Sequence, residues 1–184
     1  MHPVLTAIQL TSLKTPEQNL AKVEALAADL PKNRPQLVVL PEAFSCFGAG
    51  DQAQLAMAEP DGKGPVQKRL AAIAKKHQIT LIAGTIPLQG ADEGKRFAAA
   101  CLAYGPDGER LGRYDKIHLF DVDVADNTKQ YRESKWTQPG NSIVTIDCGF
   151  AVVGLAVCYD VRFPELFKAL RQAGAEILVL PSAF

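Results

Sequence analysis

Three residues of this sequence have the types and placement needed to attack an amide: Glu42, Lys116 and Cys158. Glu42 stands just past the apolar run "LVVL", and Cys158 directly follows "VGLAV". Open α/β sheets carry their ligand sites beyond the carboxyl ends of their strands. A thiol on the turn between a buried strand and a helix start suits a nucleophile. Nearby backbone N–H groups can lower its pKa from about 8.5 and can bind an oxyanion. An amide carbon is a poor electrophile with a poor leaving group, and thiolate attack splits its hydrolysis into acylation and deacylation. Glu42 would take the thiol proton, pass it to the departing amine and later activate water. Lys116 would offer a fixed positive charge to the tetrahedral oxyanion, beside the backbone N–H of Tyr159. One such donor is typically worth roughly 3 kcal/mol of transition-state stabilisation.

Taken singly, each side chain has a plainer reading. Glu42 could be a helix cap or a surface carboxylate, Cys158 an inert core thiol, and Lys116 a solvated cation. A rival arrangement also exists. Cys158 with His118 and an acid such as Asp121 would make a papain-like thiol hydrolase. His118 is two residues from Lys116, so in an extended segment the two point the same way and only geometry separates them. Here His118 takes a supporting, substrate-binding role. Cys46, Cys101 and Cys148 read as small buried apolar residues.

The elements that must hold these residues follow from periodicity. The spacing predicts strands over 4–10, 36–40 and 79–88, and helices over 15–30, opened by Pro16 after Thr15, and 64–78. Residues 41–62 read as a loop. Residues 97–116 read as a hairpin turning at Pro106-Asp107-Gly108, and residues 121–142 as polar and irregular. Strands follow at 142–147 and 151–158, then a helix over 163–174 between Pro164 and Gly174, then a strand at 176–180. The runs at 36–40, 151–157 and 176–180 are apolar on both faces, as in strands covered on both sides. This order is an α/β pattern with an antiparallel insertion. One domain over 1–184 is the economical reading, since no linker-like segment interrupts it.

The gross numbers are consistent with a globular protein: 47% apolar and 22% charged residues place the chain outside the disordered class. Twenty basic residues balance twenty acidic ones, which argues against nucleic acid as a partner. No stretch reaches membrane-spanning length, and the first residues do not resemble a signal peptide. The four cysteines lack CxxC spacing and the three histidines are scattered, so neither a zinc site nor a disulfide framework is expected. A reducing, cytoplasmic setting is the expectation.

Together the segments "LPEAF" with Glu42, "YDKIHLFDVD" with Lys116 and "AVCYDVRFPEL" with Cys158 closely resemble the three signature blocks of the nitrilase superfamily of carbon–nitrogen hydrolases. The resemblance runs over essentially the whole chain and keeps the order Glu, Lys, Cys. It implies an α-β-β-α sandwich that packs into dimers or larger assemblies, with no cofactor. It also implies a second glutamate, which "YRESKWTQPG" supplies as Glu133. That residue either orients Lys116 or the substrate, or is a plain acid of a polar loop. The octapeptide "LVVLPEAF" (37–44) returns as "ILVLPSAF" (177–184), with Ser182 in place of Glu42. The twin segments fit a sandwich whose halves resemble each other.

Within the superfamily the cysteine block looks most like the branch of deaminated-glutathione amidases, with omega-amidases close by. The first substrate is an amide joining a 2-oxoglutaryl group to cysteinylglycine, the second 2-oxoglutaramate or a similar short acid. Both carry carboxylates, so a basic pocket residue is expected, with Arg113, Arg132 and Arg162 as candidates. Arg162 could instead hold the helix start. The family domain continues past residue 184, so the expectation is that 1–184 alone is the N-terminal and central part of that domain. By that expectation it pairs with a companion chain, self-associates or aggregates, rather than forming a stable, active monomer. The rival of another class is an inactive remnant or one chain of a split protein.

Overall fold

A computed structural model describes residues 2–92, 94–123 and 130–183. Five strands form the first sheet: β1 (Val4–Ala7), β2 (Gln36–Val39), β3 (Thr80–Gln89), β4 (Phe97–Tyr104) and β5 (Arg110–Asp115), in that order across the sheet. β1, β2 and β3 run parallel, and β3, β4 and β5 antiparallel. β6 (Asp121–Asp123) and β7 (Gln130–Arg132) make a small ribbon. The second sheet is ordered β10-β9-β8, from β8 (Val144–Asp147), β9 (Val152–Leu155) and β10 (Ile177–Val179). β10 runs parallel to β9, and β8 antiparallel to it.

Helices cover the outer faces. α1 (Pro16–Ala28) and α3 (Pro65–His77) lie on the first sheet, where Leu20, Val23, Leu70 and Ile73 meet Val38, Leu40, Leu81 and Ala83. α4 (Pro164–Gln172) lies on the second, through Leu166 and Leu170. Between the sheets, Leu37, Ile82, Cys101, Ala103 and Tyr114 face Ile146, Val153, Leu155, Val157 and Val179. Alternation along β2 explains its unbroken apolar run: Leu37 points to the other sheet while Val38 points to the helices. The architecture is the α-β-β-α sandwich.

Three expectations need correction. Residues 41–62 contain a short helix, α2 (Asp51–Ala56), with no buried residue. Its helix formers carry no apolar stripe, which leaves no periodic signal to read. Residues 121–142 hold β6, β7 and a 3-10 turn over Glu133–Lys135, all too short for periodicity to register. β10 is covered less than its composition suggests: Leu178 is 44% exposed, and among the described residues β10 pairs only with β9. Leu178 packs over Gly154, where an added Cβ would also press on Leu170 and Ala175, so glycine lets α4 sit close to the sheet.

Candidate active site

Glu42, Lys116, Cys158 and Glu133 come together at the strand ends. The Lys116 Nζ donates to Glu42 Oε1 at 2.8 Å and to both Glu133 oxygens at 3.0 and 2.9 Å. Its side chain is 2% exposed, so the cation is desolvated and held between two carboxylates. Burial alone would lower the Lys116 pKa. Glu42 and Glu133 outweigh that and hold it above the ordinary lysine value. Burial raises Glu133, partly offset by Lys116 and by the N–H of Phe120, which donates to Glu133 Oε2 at 2.6 Å. Glu133 is therefore a partner of Lys116 and not a free acid of a polar loop.

Cys158 opens a 3-10 turn over Cys158–Arg162 and has φ +45°, the left-handed region that costs a non-glycine residue strain. Its N–H donates to the Pro181 carbonyl at 2.9 Å, which pins the strained residue. The thiol differs from the sequence expectation. Burial, then the charge and hydrogen bond of Glu42, push its pKa up to about 11, and the opposing pull of Lys116 and the Ala183 backbone is smaller. Cys158 is thus held as a thiol beside the Glu42 carboxylate. Cys46, Cys101 and Cys148 are also raised by burial, but none has Lys116 and Glu42 beside it.

Glu42 is aimed by a crossing of two segments. Ala43, the next residue, has φ +50°, and its N–H donates to the buried Thr85 hydroxyl at 2.7 Å. Thr85 sits at the irregularity of β3 between Ala83 and Ile86. Beside it, a Cβ on Gly84 would lie 1.7 Å from the Pro41 carbonyl oxygen, so only glycine lets the Glu42 loop pass over β3. The buried Asn19 of α1 donates to the Ser45 carbonyl and holds the far side of this loop. The second octapeptide completes the site: the Ala183 N–H donates to Glu42 Oε2 at 3.1 Å. The repeated segments thus lie in different sheets, and their ends meet at one carboxylate.

The papain-like arrangement is not what the geometry builds. His118 stacks on Phe163, with ring centroids 3.6 Å apart, and its Nδ1 lies 2.6 Å from Asp160 Oδ1. The proposed acid Asp121 instead accepts from the N–H and hydroxyl of Ser134. His118 and Lys116 diverge because β5 ends at Asp115, before the extended geometry could align them. Tyr159 packs edge-on against Phe120 and Phe163. Arg113 bonds Asp115 and Asp61, in a network that Arg110 joins, and is thereby committed elsewhere. Arg132 lies opposite Asp121 in the β6–β7 ribbon. Arg162 is exposed and has no ion pair among the described residues. Sequence reasoning missed Thr85, Ala183 and Asp160. Only Asp160 left a signal, as an acid two residues past the cysteine.

Residues 4–183 match the carbon–nitrogen hydrolase family, and the chain belongs to it. It is 37% identical over 177 residues to a deaminated glutathione amidase of Yersinia enterocolitica, covering 96% of this chain and 61% of that protein. It is 38% identical over 181 residues to the omega-amidase NIT2 of Mus musculus, covering 98% of this chain and 62% of that protein. The chain therefore spans less than two thirds of the length of these relatives. Among solved structures, Saccharomyces cerevisiae Nit3, a member of branch 10 of the nitrilase superfamily, superposes with a TM-score of 0.80. That match has 28% identity and covers 96% of this chain and 63% of that one.

Proposed function

We propose that this protein is a thiol amidohydrolase in which Cys158 is the nucleophile, Glu42 the general base and acid, and Lys116 the oxyanion cation. The convergence of these three on one another, with Lys116 bonded to Glu42 at 2.8 Å, carries the reading. Because Cys158 rests as a thiol, the proton leaves for Glu42 as the sulfur attacks the carbonyl carbon, and no thiolate need exist beforehand. The carbonyl oxygen takes the negative charge, faced by the Lys116 ammonium and the Tyr159 N–H. Collapse of the tetrahedral species breaks the C–N bond, and Glu42 returns the proton to the amine. Water, deprotonated by Glu42, then attacks the thioester and frees the acid and the thiol. Glu133 keeps Lys116 charged and aimed.

The substrate is a small amide carrying a carboxylate, foremost the amide of a 2-oxoglutaryl group with cysteinylglycine. Both amidase relatives support the class, and the deaminated glutathione amidase supports that amide. Arg162, exposed and without an ion pair among the described residues, is the basic residue left to meet the carboxylate, with Tyr159 and His118 nearby in the aromatic cluster. The second reading, an omega-amidase acting on 2-oxoglutaramate, is favoured by the 38% identity to NIT2. In this reading residues 1–184 belong to one carbon–nitrogen hydrolase domain of a cytoplasmic homo-oligomer. Among the described residues no helix is long and apolar enough to cross a membrane.

Comparing kcat/KM for the two amides and a nitrile tests the substrate, with the order deaminated glutathione, 2-oxoglutaramate, nitrile expected. A preference for 2-oxoglutaramate selects the second reading. Mass mapping of the acyl adduct tests the nucleophile, and an adduct on Cys46, Cys101 or Cys148 would sink the mechanism. Sedimentation of the protein tests the oligomer, and a monomer at all concentrations rejects it.

A further inference from the structure

We infer that Asp160 is a positioning residue that fixes the distance between the Lys116 cation and the Cys158 sulfur, an inference that rests on the amidohydrolase reading above. Asp160 is fully buried and its carboxylate binds groups on both sides of the site. Oδ2 accepts the Tyr114 hydroxyl at 2.7 Å and the Val157 N–H at 2.8 Å. Oδ1 accepts the His118 N–H at 3.1 Å and lies 2.6 Å from His118 Nδ1. The Tyr114 hydroxyl in turn accepts the Ile117 N–H at 3.3 Å.

The bonded residues are the sequence neighbours of the two reacting groups. Tyr114, Ile117 and His118 bracket Lys116, while Val157 precedes Cys158 and Asp160 follows it by two residues. One carboxylate therefore staples the lysine segment, which leaves β5, to the strained cysteine turn, which leaves β9 in the other sheet. The His118–Phe163 stack is a second tie across the same gap. None of these bonds reaches a reacting atom, so Asp160 acts through the placement of Lys116 and Cys158. A buried carboxylate accepting this many bonds has no equal replacement. An Asn at this position must turn its NH2 either toward the Val157 N–H or toward the His118 N–H, setting donor against donor.

Position matters here because Lys116 is one of the few groups that lower the Cys158 pKa, against burial and Glu42, which raise it. Moving Lys116 away weakens the lowering side only. The test is the pH dependence of Cys158 alkylation by iodoacetamide, together with amide turnover, for the wild-type protein, Asp160→Asn and Tyr114→Phe. The groups facing the thiol are Glu42 and Lys116, with Glu133 behind Lys116. Those facing Asp160 are Tyr114 and His118.

In Asp160→Asn the alkylation rise is expected to move to higher pH. The value of kcat is expected to fall about 100-fold with KM little changed, the loss typical of a misplacement of about 1 Å. Tyr114→Phe, which removes one strut, moves the profile the same way by less. An Asp160→Asn protein with lowered thermal stability but wild-type alkylation profile and kcat makes Asp160 merely structural and overturns the inference. If Asp160→Asn does not fold, Tyr114→Phe and His118→Asn carry the test, and unchanged profiles in both overturn it. A wild-type protein that hydrolyses no amide defeats the amidohydrolase reading alone, since alkylation reads the thiol without turnover.

Discussion

A thiol that rests protonated beside a carboxylate sets a test of its own. Glu42 raises the Cys158 pKa by charge and by hydrogen bond, yet on the proposed mechanism it is the base that turnover requires. Glu42→Gln should therefore lower turnover while making the thiol more reactive toward alkylation at a given pH. Amide hydrolysis should fall by about 10²–10⁴, the usual worth of a positioned general base. The pH of the alkylation rise should drop below that of the wild type, because a group that holds the Cys158 pKa up is gone. The sign follows from the direction of the shift: a raised thiol pKa keeps the thiolate scarce at neutral pH, and removing a raising cause makes it more abundant. If hydrolysis fell while the alkylation profile stayed that of the wild type, Glu42 would not be in contact with the sulfur. Lys116→Met makes a different demand. It leaves Glu42 and Glu133 facing each other in a desolvated site, and breaking a buried pair in this way costs about 3–5 kcal/mol. Chemical denaturation should show that loss separately from any loss of activity.

The crossing of the Glu42 loop over β3 is where an element sets the position of the proposed base. Gly84→Ala places a Cβ on the Pro41 carbonyl, and backbone cannot yield as a side chain tip can. The loop must lift, taking Glu42 from Lys116, so activity should be lost even in a variant that still folds. Thr85→Val is the milder probe. It keeps the shape and removes the acceptor of the Ala43 N–H, leaving a buried donor unpaired at a cost of about 1–3 kcal/mol. Circular dichroism with turnover on the same samples checks both. Wild-type kcat in Gly84→Ala would show that the loop does not set the position of Glu42. Strand and helix positions here were readable from the chain, because Leu20, Val23 and Ala27 recur at the helical period and β3 and β4 are apolar runs. The irregularity at Ala83–Ile86 was not, since one displaced residue leaves composition unchanged.

The two sheets meet through a closely packed layer, so the sandwich as a whole holds Glu42, Lys116 and Cys158 in register. Leu155 and Val153 of β9 lie in that layer, three to five residues before Cys158. Leu155→Ala should cost about 2–5 kcal/mol through lost burial and the cavity left behind. It should also loosen the cysteine turn relative to Lys116. A fall in thermal midpoint together with a fall in kcat, measured at a temperature where the variant is folded, is the expected pair. The midpoint falling alone would mean that the turn is held by its own bonds to Pro181 and Asp160.

What the sequence determined by itself was most of the elements, the family's sandwich class and Glu42, Lys116 and Cys158 as candidates, because these reside in local periods and in three contiguous blocks; α2, β6 and β7 were too short or too polar to register. Partnership was decided only by the tertiary structure. Lys116 and Glu42 are 74 residues apart, and Ala183 and Glu42 are 141 apart. His118 could have faced Cys158 as readily as Asp160 on spacing alone. The choice depended on where β5 ends and on how the two sheets are offset, and neither leaves a mark on local propensity. The protonation of Cys158 was beyond reach for the same reason. A thiol's pKa is a balance of burial against charges brought from elsewhere in the chain, and that balance exists only once the layers have closed around it.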